Sequence, residues 1–223
     1  PTGSQDPYAL RRAALGICHL ILERGLTISL RELTAAAYEG YRGKAKLAVP
    51  MEKVAAELEE FFAQRLRGIF SEQGLPYDVG EAALAAGGDD LYGALQRARA
   101  LADFRRRSAA AFDDLLTAFA RANNLSRKHR SLDVDASLFL HPAESALYEE
   151  VARVRAGVQK CLQVRDYQGA LAQMATLAAP VNNFFDGVMV MVEDAPLRNN
   201  RLGLLKNVVH LTLAVADLSK LSS

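Results

Sequence analysis

An all-helical fold is predicted by three observations. Apolar residues recur at three- and four-residue spacing in almost every long segment, convincing period-two alternation is nearly absent, and the gaps between periodic runs carry glycine, proline and capping residues. The first clear stripe is Val54, Leu58, Phe61, Phe62, Leu66 and Ile69, on a helix that stops at Gly74-Leu75-Pro76. Leu101, Phe104, Phe112, Leu115 and Phe119 form the second stripe, with the small Ser108 on the same line. Leu147, Val151, Val154, Val158 and Cys161 form the third, and Leu204, Val208, Leu211, Val215 and Leu218 the fourth. Further breaks are expected at Gly40 and Gly43, Pro50, Gly87-Gly88, His141-Pro142, Pro180 and Pro196. Asp194-Ala195-Pro196 reads as an acidic cap followed by proline in the first helical turn, and His141-Pro142 is a weaker version of the same signal. Beyond Gly74-Leu75-Pro76 the pieces become shorter and richer in Ala and Gly. The sequence therefore divides into residues 1–75, a helical segment, and residues 76–223, a helical domain.

The 223 residues are 50% hydrophobic, 24% charged and 7% aromatic, enough apolar mass for a packed core, which excludes a disordered, collagen-like or rod-like chain. With 27 Lys and Arg against 26 Asp and Glu, the net charge of +1 supports no whole-chain attraction to nucleic acid or membrane, so any basic signal must be local. Cys18 and Cys161 lie far apart inside apolar helical patterns, which gives neither a disulfide framework nor metal-ligand spacing and fits a reducing, cytoplasmic setting. No run approaches the ~18 apolar residues of a membrane span, and no secretory signal opens the chain. The start at Pro1 suits a piece of a longer polypeptide.

Enzyme signatures are missing. There is no GxxxxGKS phosphate loop, HExxH helix, GxSxG elbow or CxxC, and none of His19, His129, His141 and His210 lies three or four residues from another His or Cys. No catalytic residue, metal or cofactor is expected. The stretch from Arg97 to Arg130 is locally basic, with nine Arg and Lys against Asp103, Asp113 and Asp114. Read as helix, it turns Leu101, Phe104 and Phe112 one way and Arg99, Arg106, Thr117, Arg121 and Asn124 the other. Such a face is either a solvated arginine surface or one that lies along phosphates and reads base edges. In Asn182-Asn183-Phe184-Phe185-Asp186 the two aromatics point about 100° apart, so one can enter the core while the other is free to stack on a base. In Leu197-Arg198-Asn199-Asn200-Arg201-Leu202, helix-start amides and Arg198 would favour an anion, whereas Arg201 falls near the apolar side and reads as a buried ion pair with Asp186 or Asp194.

The strings NNFFDGVMVM (residues 182–191), VEDAPLRNNRLGLL (192–205) and VADLSKL (215–221) resemble the C-terminal end of the beta subunit of the bacterial two-subunit glycyl-tRNA synthetase. The opening PTGSQDPYALRRAALGI resembles a segment further upstream in the same subunit. The resemblance implies a C-terminal fragment ending in an all-helical, DALR-like anticodon-binding domain of the kind shared with arginyl- and cysteinyl-tRNA synthetases. It implies that residues 1–75 close a preceding HD-type region, although no adjacent His-Asp pair supports phosphohydrolase chemistry. The family's KRVANI-like string stands here as Ala120-Arg121-Ala122-Asn123-Asn124-Leu125, keeping Arg121 and Asn124 and losing the leading Lys, with one phosphate contact the weaker for it.

By this resemblance the fragment itself is non-catalytic. It would bind the anticodon loop of glycine tRNA while the alpha subunit performs ATP-dependent glycylation, with no role for membrane or DNA. The residues expected to meet the tRNA are Arg106, Arg121, Asn124, Asn182, Asn183, Phe184, Arg198 and Asn199. The alternative is a helical module that docks the other synthetase subunit or domains without reading the anticodon.

Overall fold

The computed structural model of the chain describes Asp6 and residues 8–221. Its helices are α1 (Leu10–Arg24), α2 (Leu30–Tyr41), α3 (Met51–Glu72), α4 (Tyr77–Ala85), α5 (Leu91–Arg107), α6 (Ala109–Ser126), α7 (Pro142–Gln163), α8 (Tyr167–Ala175), α9 (Ala178–Gly187) and α10 (Ala195–Thr212), with 3-10 turns at Ala136–Leu138 and Leu218–Lys220. The all-helical expectation is met: among the described residues the extended pairing is a single isolated bridge between Ser29 and Asp90. The chain forms two compact units, residues 1–99 with 220–223, and residues 100–219. Gly74-Leu75-Pro76 is the turn between α3 and α4, inside the first unit, and the division between units falls within α5.

In the first unit α3 is the hub, packing against α1, α2 and α4. Phe62, Leu66, Ile69 and Phe70 are its buried face, while Val54, Leu58 and Phe61 of the same stripe are half-buried. The α1 helix stops at Gly25, whose φ of 62° is left-handed and whose N–H donates to the Ile21 carbonyl. Glycine is needed there because a side chain at that φ is strained. Ser29 starts α2, its hydroxyl accepting from the Glu32 amide at 3.0 Å. Burial pushes the Cys18 thiol of α1 up to about 11.

The second unit is built around α10. From Asn200 to Leu205 every residue of this helix is buried, as are Asn207, Val208, Val209, Leu211 and Thr212, so it has no solvent face along most of its length. It packs on α6 and α7, while α7 packs on α8 and α9, and α6 also on α9. Both proline-marked starts occur. Asp194 caps α10 by accepting from the Leu197 amide at 3.0 Å, and His141 caps α7 through Nδ1, which accepts from the Ala143 amide at 3.2 Å. The spacing that reaches Val215 and Leu218 outruns the helix, since α10 ends at Thr212; both side chains remain buried in the following turns.

Two further departures fix the site's surroundings. The basic stretch is two helices, because Ser108, at φ −131° and ψ 47°, breaks the chain between α5 and α6. Also, the connection from α6 to α7 lies against α10. Asn200 Oδ1 accepts from the Asp135 amide at 2.7 Å and its Nδ2 donates to the Asp135 carbonyl at 2.9 Å. One turn on, Gly203 admits the connection itself, as a Cβ there would stand 2.5 Å from the Asp133 carbonyl oxygen.

Candidate nucleic-acid interface

Helices α6 and α9 lie side by side in the second unit. On α6 the exposed residues Thr117, Ala120 and Asn124 share one face with the half-buried Arg121, at the three- and four-residue spacing that stacks side chains on a helix. Arg121 Nη1 donates to Asn182 Oδ1 of α9 at 2.6 Å. Its guanidinium carbon lies 4.5 Å from the centre of the Phe185 ring, within cation–π range. The sequence expectation that one of the paired phenylalanines enters the core is met, but Phe184 is the one that does so. Its side chain is 0% exposed and meets Phe185 edge-on at 5.7 Å, so it cannot stack on a base; the half-buried Phe185 can. Asn183 and Asp186 are exposed beside it on α9.

The other expected residues do not join this cluster. Arg106 sits on α5, beyond the Ser108 break, and donates to Asp103 at 2.7 Å, with Arg107 3.8 Å from the same carboxylate. The Arg106 bond outweighs burial and holds the Asp103 carboxyl below its usual range, so Arg106 already has a counter-charge on its own helix. Arg198 Nη1 donates to the carbonyls of Val192 and Glu193, at 2.7 and 3.1 Å, and so fastens the loop before α10. Asn199 is exposed on the first turns of α10.

Arg201 does form a buried ion pair, but its partner is Glu144, at 2.8 Å, and neither Asp186 nor Asp194. Asp186 is exposed on α9 and Asp194 is occupied as a cap. Arg201 Nη1 also donates to the Met189 carbonyl at 2.8 Å. Glu144 is 0% exposed. Burial alone would raise its pKa, yet the Arg201 bond and the amides of Leu140 and His141, each 2.8 Å from Oε2, outweigh that and hold it below the ordinary range. Glu144 was discoverable in the sequence as the third residue after the His141 cap, where a glutamate reaches back to the cap amide. Among the described residues no cluster of His, Cys, Asp and Glu could hold a metal ion, and no helix is long and apolar enough to cross a membrane.

The partner of Arg121 matters for what the face can do. An amide oxygen fixes a guanidinium without cancelling its charge, so Arg121 keeps a net positive charge and its remaining N–H donors. A held cation beside a half-buried ring, flanked by Asn124, Asn182 and Asn183, offers a phosphate contact, a stacking surface and amide groups for base edges in one place.

Two family models match the chain. Residues 1–85 match glycyl-tRNA synthetase beta subunit, and residues 115–221, which include Arg121, Asn182 and Phe185, match DALR anticodon binding domain. Among curated relatives, the glycine–tRNA ligase beta subunit of Desulforamulus reducens is 47% identical over 221 residues, covering 99% of this chain and 32% of that protein. The same subunit of Desulforudis audaxviator is 50% identical over 220 residues, 99% of this chain and 31% of the relative, and that of Clostridioides difficile is 38% identical over 221 residues, with the same coverage. The chain thus spans about a third of the length of the relatives it matches. Two separate family matches and near-complete alignment of the chain lead to one assignment: it belongs to the glycyl-tRNA synthetase beta-subunit family, with a DALR-type anticodon-binding domain in its second half.

Proposed function

We propose that the α6/α9 face binds the anticodon loop of glycine tRNA, and that the chain thereby serves a cytoplasmic glycine–tRNA ligase whose alpha subunit carries out ATP-dependent glycylation. The observation that carries this reading is Arg121, held by the neutral amide of Asn182 beside Phe185, inside the stretch that matches an anticodon-binding domain. Glycine tRNAs share cytosine at the second and third anticodon positions. The pairing edge of cytosine presents two acceptors and one amino donor. The side-chain amide N–H groups of Asn124 or Asn183 suit the acceptors, their side-chain oxygens suit the amino group, Phe185 suits the ring face, and the charge of Arg121 suits a loop phosphate. A stacked base contributes about 1 to 3 kcal/mol. The test is a titration of the protein with glycine tRNA and with a copy in which both anticodon cytosines are changed. Preference for the natural tRNA by about tenfold or more, roughly 1.4 kcal/mol, is expected; equal affinity would overturn anticodon reading.

A second reading, docking of the alpha subunit or another domain, draws on the loop between α9 and α10. There Val188 and Val190 are buried while Met189 and Met191 are 73% and 59% exposed, and Arg198 and Arg201 fix the backbone around them. Exposed methionines on a fixed loop suit an apolar protein contact. Binding of the alpha subunit without tRNA, lost in a Met189→Ser, Met191→Ser variant, is what this reading predicts.

A further inference from the structure

Helix α7 and the C-terminal half of α10 enclose an open groove of about 580 Å³ in the second unit. Val158, Leu162 and Leu211 form its apolar floor, and Arg155, Gln159 and His210 stand at its rim. None of the side chains that line it, among the described residues, is a carboxylate.

Arg155 is held there in an unusual way. Its Nη2 donates to Asn207 Oδ1 at 2.5 Å. The Asn207 amide is itself fixed, since Nδ2 donates to the carbonyls of Leu132 and Gly203, at 2.7 and 2.9 Å, which leaves the oxygen no orientation except toward Arg155. Two residues earlier on the same helix, Arg153 is neutralised by Glu150. Arg155 instead keeps its full charge, at the edge of an apolar hollow and in a fixed position. It repeats, on a different pair of helices, the arginine-on-asparagine arrangement of Arg121 and Asn182.

A hollow of several hundred Å³ with an apolar floor and a few fixed polar groups has the dimensions of a site for one small ligand or one residue of a chain. Here the aliphatic floor accepts an apolar surface such as the face of a base, Arg155 an anion, and Gln159 and His210 hydrogen-bonding edges. We propose that this groove takes one nucleotide of a single-stranded RNA segment, the base against Val158, Leu162 and Leu211 and its phosphate on Arg155. The inference rests on the reading of this unit as an RNA-binding domain, and it adds a second contact separate from the α6/α9 face.

The experiment follows the methyl signals of Val158, Leu162 and Leu211 and the Arg155 Nε–H by NMR, while the protein is titrated with CMP or AMP up to about 10 mM. Saturable shifts of these groove signals are expected, smaller with the phosphate-free nucleosides, weakened about tenfold in Arg155→Met and largely retained in Arg155→Lys, whatever the α6/α9 face does. Glycine tRNA should displace the mononucleotide, and Arg155→Met should lower the salt slope of tRNA binding by about one. The proposal is overturned if the groove signals stay still, if Arg155→Met leaves the shifts unchanged, if an oligoglutamate peptide shifts them as much as CMP does, or if tRNA fails to displace the nucleotide. Arg121→Met must leave the mononucleotide titration as it is, so a failure of the α6/α9 reading and a failure of the groove are seen separately.

Discussion

Arg201 and Arg121 are each fixed by a side chain from another helix of the same unit, and the two partners differ by one charge. Glu144 neutralises Arg201 out of solvent, where the pair also satisfies the amides of Leu140 and His141 and the carbonyl of Met189. Asn182 leaves Arg121 charged, half-buried and next to an aromatic ring. The first arrangement spends its electrostatics inside the protein, on joining α7, α10 and the loop between α9 and α10. The second leaves the charge uncancelled, which the proposed tRNA contact requires. Arginines that sequence inspection groups together as basic therefore separate into neutralised and still-charged groups by the partner each one meets.

The comparison is broken most forcefully at Glu144. Replacing it with Gln leaves Arg201 buried without a counter-charge, and should cost about 3 to 5 kcal/mol of unfolding free energy, measured by urea titration; a loss below about 1 kcal/mol would mean the pair is not the unit's internal tie. The same residue sets an acid limit. Because its folded pKa lies below the ordinary glutamate value of about 4.3, its stabilisation is complete above that value and disappears as pH falls through the folded pKa. Unfolding free energy of the wild type should fall in that window, and Glu144→Gln should flatten the fall.

The adjacent phenylalanines sharpen the contrast within two residues. Phe184→Ala empties a wholly buried site and should cost about 3 to 5 kcal/mol of stability, seen by thermal or urea melting. Phe185→Ala should leave folding within about 1 kcal/mol and instead weaken tRNA binding by about 1 to 3 kcal/mol. If Phe185→Ala binds tRNA normally, the ring serves only to brace Arg121.

Much of the fold was legible because helix periodicity and capping are local. The stripes of α3, α7 and α10 and the starts at His141-Pro142 and Asp194-Ala195-Pro196 needed no tertiary information. The break at Ser108 was hidden because the apolar spacing continues across it, so α5 and α6 read as one helix and Arg106 was grouped with Arg121. For the candidate site, the pattern singled out Arg121, Asn124 and the 182–186 segment, of which Arg121 and Asn182 meet in the structure, but could not say which phenylalanine turns inward. That depends on how α9 is rotated against α6 and α7, a tertiary quantity. Asn200 and Asn207 fasten the α6–α7 connection and Arg155 from inside the core helix, a role the sequence analysis does not reach. A buried asparagine on an otherwise apolar helix has no local signature separating a backbone clamp from a solvated side chain.

The most direct test of the distinction between neutralised and charged arginines is the dependence of glycine tRNA affinity on salt, measured for the wild type, Arg121→Met and Arg106→Met. With Arg121 as a phosphate-facing charge, Arg121→Met should bind about tenfold more weakly, and the slope of log K against log salt should fall by about one unit. Arg106→Met, which removes an arginine already paired with Asp103, should change both quantities far less. Equal losses for the two variants, or an unchanged slope in Arg121→Met, would contradict the account.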